Sequence, residues 1–328
     1  MRAPRLSGVS VTVPARLHLG FVDLEGGLGR RFGSLGITLE GPYTRLSLSP
    51  AAKTEVRGPD SERAHRNLEQ LIEHYELAGE LELALEEAIP AHRGLGSGTQ
   101  LALATGMAVC QLYGLPLEPV QLAQLLDRGT RSGIGLGAFL QGGVLLDGGR
   151  GESDLPPPII SRFDFPEQWR VMLIYDTALP GVHGEAEIEA FKNLPPFPAE
   201  SAGRLCRLTL MKALPALAEG EIAEFGAAIS EIQSVVGDYF APAQGGRFAS
   251  PAVSEVLQWL AQEGIAGVGQ SSWGPTGFAI VASAARGERL VAAARERWPT
   301  GSGLSFELRA GRNTGASASI KKAVEKAL

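Results

Sequence analysis

The residues with the clearest potential for chemistry form a short glycine-rich loop at the start of a long apolar segment. Glycines let the backbone adopt φ > 0 and approach a ligand closely. A loop that opens a helix also gathers free backbone N–H groups and the positive end of the helix dipole at one point. Such a point binds anions, most often phosphate, although a plain strand-to-helix turn is the alternative. The predicted phosphate-binding residues are Gly94, Leu95, Gly96, Ser97, Gly98 and Thr99.

Three arginines are candidates for a second anion site. Arg16 follows a strand-like run, and Arg30 and Arg31 lie in the glycine-rich connection GGLGRRFGSLG. A guanidinium group holds phosphate with two parallel hydrogen bonds. The alternative for each of them is a solvated surface charge.

Two aspartates are candidates for a metal site. Asp23 and Asp147 each close an apolar strand-like run beside glycines. Mg²⁺ takes hard oxygen ligands and usually only one or two carboxylates. Aspartate is also common in turns, so a structural role is the alternative.

The elements around these residues indicate mixed α and β structure. Val9–Leu24 and Leu81–Ile89 resemble strands, and Thr99–Tyr113 is apolar on all sides and predicts a buried helix that stops at Gly114. Glycine, charge and three prolines at 148–158 break the pattern and suggest a boundary there. Beyond residue 263, strand, strand, helix and strand follow one another, an order that suits a split βαβ lobe.

Composition limits the classes of function. The 328 residues carry a net charge of −6, which argues against broad nucleic-acid binding, since that normally needs a basic face. Cys110 and Cys206 have no metal-ligand spacing. No leader-like segment and no apolar run of membrane-spanning length is apparent. We therefore expect a reduced, soluble, cytoplasmic protein without a membrane partner.

The sequences of three motifs resemble those of the GHMP kinases. They are Pro14-Ala15-Arg16, the stretch Pro90–Gln100 that contains G-L-G-S, and the late stretch Gly269–Gly277. The resemblance covers most of the chain. It implies an α+β, two-lobed GHMP-kinase-like fold, with a ribosomal-protein-like N-terminal lobe at 1–155 and a ferredoxin-like C-terminal lobe at 156–328.

Three departures separate the chain from phosphoryl transfer. Gly98 replaces a second serine in the loop, Gly135 stands where many of these kinases have an aspartate, and the late motif reads GQSSWGPTG. With these departures the chain resembles one branch of the superfamily, the β-ribofuranosylaminobenzene 5′-phosphate synthases. The alternatives are an ATP-dependent small-molecule kinase and a non-catalytic protein that binds a phosphorylated metabolite.

That resemblance implies a reaction between phosphoribosyl diphosphate and 4-aminobenzoate or 4-hydroxybenzoate, in tetrahydromethanopterin biosynthesis. The products are a C-riboside phosphate, CO₂ and diphosphate, with Mg²⁺ as cofactor and no ATP consumed. It also implies a homodimer.

This reaction assigns roles to the candidate residues. The glycine loop would hold the departing diphosphate, the arginines the 5′-phosphate, and Asp23 and Asp147 the Mg²⁺. A general base at the para substituent of the ring would assist, and His18, Asp23 and His92 are the candidates. The late motif would contribute Ser271, Ser272 and Trp273, whose indole can stack on the benzoate ring; core packing is the alternative for this tryptophan.

Overall fold

The computed structural model describes residues 2–179, 194–272 and 274–321. The described strands are β1 Gly8–Asp23, β2 Phe32–Ala51, β3 Glu55–Arg57, β4 Glu80–Glu87, β5 Val144–Asp147, β6 Ile159–Phe163, β7 Arg170–Asp176, β8 Gly267–Gln270, β9 Thr276–Val281, β10 Leu304–Ala310 and β11 Ser317–Lys321. The described helices are α1 Ser61–Tyr75, α2 Ser97–Tyr113, α3 Pro119–Leu125, α4 Ile134–Leu140, α5 Ala199–Leu208, α6 Leu214–Glu219, α7 Ile222–Gln244, α8 Pro251–Gln262 and α9 Ala284–Arg297. A π turn, Thr209–Ala213, joins α5 to α6.

The first sheet has seven strands, in the order β11-β1-β2-β4-β3, with β5 paired to β2 and β6 paired to β5. Apolar side chains alternate with other residues along its strands and face the core. In β4, for example, Leu81, Leu83 and Leu85 are buried on one face. Helix α2 packs against this sheet and is buried along most of its length, as an all-apolar sequence requires.

The second sheet has four antiparallel strands, in the order β10-β7-β9-β8. Along the chain these strands alternate with helices as βαββαβ, so the order matches that of a ferredoxin-like lobe. This confirms the predicted fold class. The sequence at 185–193 also predicts a helix, and this stretch lies outside the described residues.

Residue 155 does not separate the strands of the first sheet from those of the second. Strand β6 pairs with β5, and β11 pairs with Gly8–Thr12 of β1, so both return to the first sheet. The second half of the chain thus completes the N-terminal lobe as well as forming its own.

Strand β1 contains two irregularities that matter for the site. Its register against β2 shifts between Pro14 and Arg16 and again between His18 and Gly20. Bulges of this kind re-aim side chains next to functional sites. The segment 16–18 is therefore held between two bulges. Within the described ranges, none of the helices combines the length and the apolar character needed to cross a membrane.

Candidate active site

The glycine loop connects β4 to α2 and leaves the start of the helix open. Gly96 is the N-cap residue, with φ 83°, a left-handed conformation that favours glycine. No side chain caps the helix, and in the described part of the chain the N–H groups of Ser97, Gly98 and Thr99 have no acceptor. Three donors and the positive helix end thus converge where the sequence predicted a phosphate site.

The late motif fixes this loop from the other lobe. A Cβ atom added to Gly94 would lie 2.2 Å from the Ser271 carbonyl oxygen, and one added to Gly274 would lie 2.6 Å from the Gly94 nitrogen. The buried Ser271 hydroxyl donates to the Gly94 carbonyl at 2.7 Å and accepts from the His18 N–H at 3.0 Å. Ser271 therefore positions the loop against β1, and its hydroxyl is already used by the protein.

Arg16 lies directly beneath the loop. Its guanidinium donates to the Gly94 carbonyl, and its side chain is close enough to Gly96 that an added Cβ there would lie 3.0 Å from the Arg16 Cγ. Burial lowers the pKa of Arg16 to about 10, so the group stays charged at neutral pH. No carboxylate within the described ranges pairs with it. A half-buried cation without a carboxylate partner, beside free N–H groups, is suited to binding an anion.

Two further arginines approach the same helix end, and the sequence analysis missed them. A Cβ added to Gly98 would lie 3.6 Å from Arg63 Nη1 and 3.8 Å from Arg128 Nη1. Arg63 is paired with Asp60 and reaches the Ser97 hydroxyl at 3.4 Å. Burial, and then the neighbouring Arg63, lower the pKa of Arg128, whose buried Nε has no hydrogen-bond partner among the described residues. Neither arginine lies in a recognisable motif; only the folded chain brings them to Gly98.

His18 follows Arg16 on the same face of β1. It is 3% exposed, and its ring contacts Phe21 edge-on at a centroid distance of 4.7 Å. Burial, and then the charge of Arg16, lower the pKa of His18 to about 3, so the imidazole is neutral at physiological pH. Its buried Nε2 has no hydrogen-bond partner in the part of the chain that the structure describes.

His18 lines a recess between the lobes. The recess is small: its volume is about 20 Å³, room for one or two water molecules. Strand β1 contributes Phe21, helix α7 contributes Val236 and Phe240, and the late motif contributes Ser272. The site is therefore a basic loop with a narrow, largely apolar recess beside it.

Asp23, Arg30 and Arg31 lie at the far end of β1. Arg30 donates to the carbonyls of Gly148 and Gly149, at 2.6 and 2.5 Å, and Arg31 donates to the Leu24 carbonyl at 2.9 Å. With Asp23 they line a cavity of about 320 Å³. The described contacts do not bring these three residues to the glycine loop.

Asp147 has a structural role, because it connects several backbone segments through hydrogen bonds. It is fully buried, and its two oxygens accept from the N–H groups of Ser34, Gly133 and Gly149 and from the Ser132 hydroxyl, at 2.8 to 3.1 Å. Burial raises the pKa of Asp147, and these four hydrogen bonds oppose the rise. Four donors occupy the lone pairs that a metal would need. Asp23 already accepts two N–H groups on one oxygen. In the ranges described, no group of three or more metal-ligating side chains occurs.

The remaining predicted site residues are His92, Ser272 and Trp273. His92 is exposed with φ 57°, and Ser272 has φ 54° at the rim of the recess. Trp273 lies outside the described residues. Its proposed stacking on a benzoate ring stays a prediction.

The structure explains why the kinase acid is missing. Gly135 is buried in α4, and a Cβ added there would lie 3.0 Å from the Thr99 Cγ2. An aspartate at this position would crowd the Thr99 side chain in the first turn of α2. At Gly98, where kinases of this type carry a second serine, an added Cβ would make ordinary contacts with the guanidinium groups of Arg63 and Arg128, so packing does not exclude a serine there.

Fold, loop and late motif together define a GHMP-kinase-like protein, and family models agree. The model for the GHMP kinases N terminal domain matches residues 62–143, and the model for GHMP kinases C terminal matches residues 213–300. The fold is also that of a homoserine kinase from Cytophaga hutchinsonii, with TM-score 0.64, 18% identity, and coverage of 95% of this chain and 98% of that one. A mevalonate diphosphate decarboxylase from Staphylococcus aureus superposes with TM-score 0.64 at 14% identity, covering 96% and 98% of the two chains.

Two archaeal relatives narrow the family. The chain is 33% identical to a beta-ribofuranosylphenol 5′-phosphate synthase of Methanothermobacter thermautotrophicus, over 82% of this chain and 88% of the relative. It is 35% identical to the protein of the same name from Archaeoglobus fulgidus, over 84% of this chain and 88% of the relative. The chain belongs to this synthase family, within the GHMP kinase superfamily.

Proposed function

We propose that the protein transfers the phosphoribosyl group of 5-phosphoribosyl 1-diphosphate to the ring carbon of 4-hydroxybenzoate or 4-aminobenzoate, releasing CO₂ and diphosphate. The observation that carries the proposal is Arg16, a charged, half-buried side chain beside three free N–H groups and without a carboxylate partner in the described chain. The family name favours 4-hydroxybenzoate, since its product is a ribofuranosylphenol phosphate.

The first bond to break joins ribose C1 to the diphosphate oxygen. Its electron pair leaves with the diphosphate, so negative charge grows on the leaving group. The N–H groups of Ser97, Gly98 and Thr99, with Arg16, are fixed donors aimed at that charge. Preorganised donors of this kind stabilise a transition state without reorganisation. The guanidinium groups of Arg63 and Arg128 add positive potential beside Gly98.

The second stage forms the carbon–carbon bond. The ring carbon that bears the carboxylate donates its π electrons to the cationic C1, and the ring becomes a cation stabilised by the para oxygen or nitrogen. The bond to the carboxylate then breaks, its electron pair restores the ring, and CO₂ departs. No net proton is gained or lost. His18 and His92 remain the proposed acid–base groups for the para substituent. Asp23, the third residue that the sequence predicts for this role, lies at the far end of β1 from the glycine loop.

The residues present do not form a protein cage for Mg²⁺. Asp147 is saturated by four donors, and Asp23 has one oxygen engaged. Mg²⁺ commonly binds through substrate phosphates and waters with few protein ligands. We therefore propose that the cation arrives on the diphosphate of the substrate and is held mainly by phosphate oxygens and water. Asp23 keeps one oxygen without a described partner but lies at the far end of β1 from the glycine loop.

The assignment of the 5′-phosphate to Arg30 and Arg31 stays a prediction, and the described contacts place both arginines at the far end of β1 from the glycine loop. Each guanidinium group donates hydrogen bonds to backbone carbonyls and has further N–H groups without a described partner. Both line the cavity of about 320 Å³ at the end of β1. A homodimer is likewise proposed from the family resemblance, and sedimentation equilibrium would test it. A cytoplasmic location is proposed from the composition of the sequence.

The test is release of label from the carboxyl group. Purified protein with phosphoribosyl diphosphate, Mg²⁺ and carboxyl-labelled 4-hydroxybenzoate or 4-aminobenzoate should release labelled CO₂ and one diphosphate for each. The same preparation should not consume ATP with homoserine, mevalonate or other small alcohols. No release with either acid, together with ATP consumption, would establish the kinase alternative instead.

A further inference from the structure

We propose that Arg63 and Arg128 together hold the 5′-phosphate of phosphoribosyl diphosphate, beside the loop that holds its diphosphate group. The inference rests on the proposed function, because it assigns a second part of the same substrate to a second group of residues. It competes with the sequence-based prediction that Arg30 and Arg31 hold this phosphate, and binding measurements distinguish the two.

The guanidinium groups of Arg63 and Arg128 face one point beside the start of α2. That point is the position that a Cβ atom on Gly98 would take, 3.6 Å from Arg63 Nη1 and 3.8 Å from Arg128 Nη1. Apart from Gly98, its chain neighbours and the backbone of α2, no described heavy atom lies nearer to it. Because Gly98 has no side chain, the protein leaves the point between the two cations unfilled. Two guanidinium groups that face one such point are suited to binding a phosphate.

Arg63 is held in this orientation by Asp60. Its Nε donates to Asp60 Oδ1 at 2.7 Å, and its Nη2 donates to the other oxygen of the same carboxylate. Nη2 also reaches the Ser97 hydroxyl at 3.4 Å. Two parallel hydrogen bonds fix the plane of a guanidinium group. All the described partners of the Arg63 side chain bind Nε and Nη2, so Nη1, the nitrogen nearest to Gly98, keeps its hydrogens for a ligand.

The Arg128 side chain has no such partner. Among the residues that the structure describes, none forms a hydrogen bond or an ion pair with it, and its Nε is buried. Burial lowers the pKa of Arg128; Asp127 opposes this change, and the charges of Arg63 and Arg66 add to it. A partly buried cation close to two others is unfavourable unless an anion joins them. A bound phosphate would supply that anion.

The backbone around Arg128 is nevertheless well fixed. Helix α3 ends just before it, and the Arg128 N–H donates to the Ala123 carbonyl at 2.6 Å. The residues on either side, Asp127 and Gly129, are both left-handed, with φ 52° and 80°. The turn therefore holds the Cα of Arg128 in place, while the guanidinium group at the end of the side chain is left for a ligand.

The cations lie on two sides of the glycine loop. Arg16 contacts the loop at Gly94 and Gly96, whereas Arg63 and Arg128 approach it at Gly98. A ligand with two separate anionic groups on one small body matches this arrangement. A phosphate monoester carries a charge of about −1.5 to −2 near neutral pH, which two guanidinium groups balance.

The length of the substrate fits Arg63 and Arg128. In phosphoribosyl diphosphate, the 5′-phosphorus and the first phosphorus of the diphosphate are joined through the ribose and one oxygen bridge at each end. The length of these bonds keeps the two atoms at most about 9 Å apart. Gly98 meets this limit, because it supplies one of the loop N–H groups and also borders the point that the two arginines face.

The same length does not fit Arg30 and Arg31. Both line a cavity together with Asp23, at the far end of β1. Asp23 lies roughly 20 Å along the strand from Arg16. One ribose does not span that distance, so the described geometry favours the arginines beside Gly98.

The test measures binding apart from turnover. The dissociation constants of phosphoribosyl diphosphate and of diphosphate are determined by isothermal titration calorimetry, each with Mg²⁺ and without an aromatic acid. Arg128→Met removes the guanidinium group and keeps an unbranched stem. We expect the constant for phosphoribosyl diphosphate to rise about ten- to a hundredfold, the effect of a lost charge-assisted hydrogen bond. The constant for diphosphate should change far less, because diphosphate lacks the 5′-phosphate.

Three more variants sharpen the comparison. Arg128→Lys keeps the charge but loses the planar fork, so it should restore only part of the lost affinity. Arg30→Met tests the competing prediction and should leave the ratio of the two constants unchanged. If Arg128→Met fails to fold, Arg63→Met replaces it, combined with Asp60→Asn so that no unpaired carboxylate faces the ligand. Retained diphosphate binding reports that each variant is folded.

The outcomes separate this inference from the proposed function. If Arg128→Met weakens both ligands equally, the arginines beside Gly98 hold the diphosphate group, and the inference is wrong while the proposed function stands. The inference is equally wrong if Arg30→Met alone weakens phosphoribosyl diphosphate selectively, or if the wild-type protein binds the two ligands with equal affinity. If a preference for phosphoribosyl diphosphate depends on Arg128 but no CO₂ is released with either acid, the phosphate site is correct and the proposed reaction is wrong.

Discussion

Replacing Arg16 with methionine separates anion binding from stability. Its guanidinium is charged, half-buried and without a carboxylate partner in the described chain, so its charge destabilises the ligand-free fold. Burial lowers the pKa of Arg16 from its ordinary value to about 10. At about 1.4 kcal/mol for each pKa unit, and with a discount because part of the side chain still meets water, the destabilisation is on the order of 2 kcal/mol.

Methionine preserves what the arginine does for packing. Its unbranched stem can still pack against Gly96, and the Gly94 carbonyl keeps its second donor, the Ser271 hydroxyl at 2.7 Å. We therefore expect Arg16→Met to raise the free energy of unfolding by about 1 to 2 kcal/mol without ligand. The same change removes a charge-assisted hydrogen bond worth about 1.5 to 3 kcal/mol, so the dissociation constant for diphosphate should rise by about ten- to a hundredfold.

The assay is urea denaturation with and without diphosphate and Mg²⁺. A ligand at a hundred times its dissociation constant stabilises the native state by about 2.7 kcal/mol. Wild-type protein should show that gain, and Arg16→Met should lose about 1.3 to 2.3 kcal/mol of it at the same concentration. Arg45→Met, which removes an exposed arginine 3.4 Å from Glu87 on the same sheet, is the control and should change neither quantity much. A variant that is less stable without ligand, or that is stabilised by diphosphate as strongly as the wild type, would refute this reasoning.

Three further predictions test other positions of the fold. Gly94→Ala places a Cβ atom 2.2 Å from the Ser271 oxygen at φ 73°, so we expect a loss of roughly 3 kcal/mol or more in a denaturation experiment; Gly203→Ala, with open space around it, should be neutral or slightly stabilising. Asp147→Asn leaves one acceptor oxygen for four donors, and chemical denaturation should show a loss of about 2 to 4 kcal/mol, whereas the exposed Asp154→Asn should show little. His18 has a pKa of about 3 in the folded protein and 6.5 in the unfolded chain. Its contribution to the free energy of unfolding is therefore complete above pH 6.5 and is lost as the pH falls toward 3, by about 1.4 kcal/mol per pH unit relative to His18→Phe. Parallel curves of stability against pH for the two proteins would contradict this prediction.

Local signals were enough to predict the centre of the site. The loop and α2 follow from a glycine run before an apolar segment, and the structure moves the helix start only from Thr99 to Ser97. The ferredoxin-like order of the second sheet follows from strands and a helix with ordinary spacing. These features depend on neighbours along the chain, which a single sequence displays.

The features that the sequence did not reveal depend on distant partners. Helix α4, Ile134–Leu140, contains Gly135 and Gly137, residues of low helix propensity, and it forms because Thr99 and Ile159 pack against those bare positions. By sequence, β11 resembles a polar tail, and it forms a strand by pairing with β1. Arg63 and Arg128 resemble surface charges in sequence, and only the fold brings them beside Gly98.

The roles of the predicted aspartates illustrate the same limit. Asp147 closes a strand beside glycines, a pattern that fits a metal ligand and a structural turn equally well. The choice depends on whether other parts of the chain supply donors, and here Ser34 and Gly133 do so. Burial of this kind is a tertiary property that sequence spacing does not encode.

The most direct measurement is a crystal structure of the protein with phosphoribosyl diphosphate and Mg²⁺ in the absence of any aromatic acid. We expect the diphosphate group to accept hydrogen bonds from the N–H groups of Ser97, Gly98 and Thr99 and from the Arg16 guanidinium. A diphosphate group bound away from the loop, with Arg16 still donating only to Gly94, would contradict it.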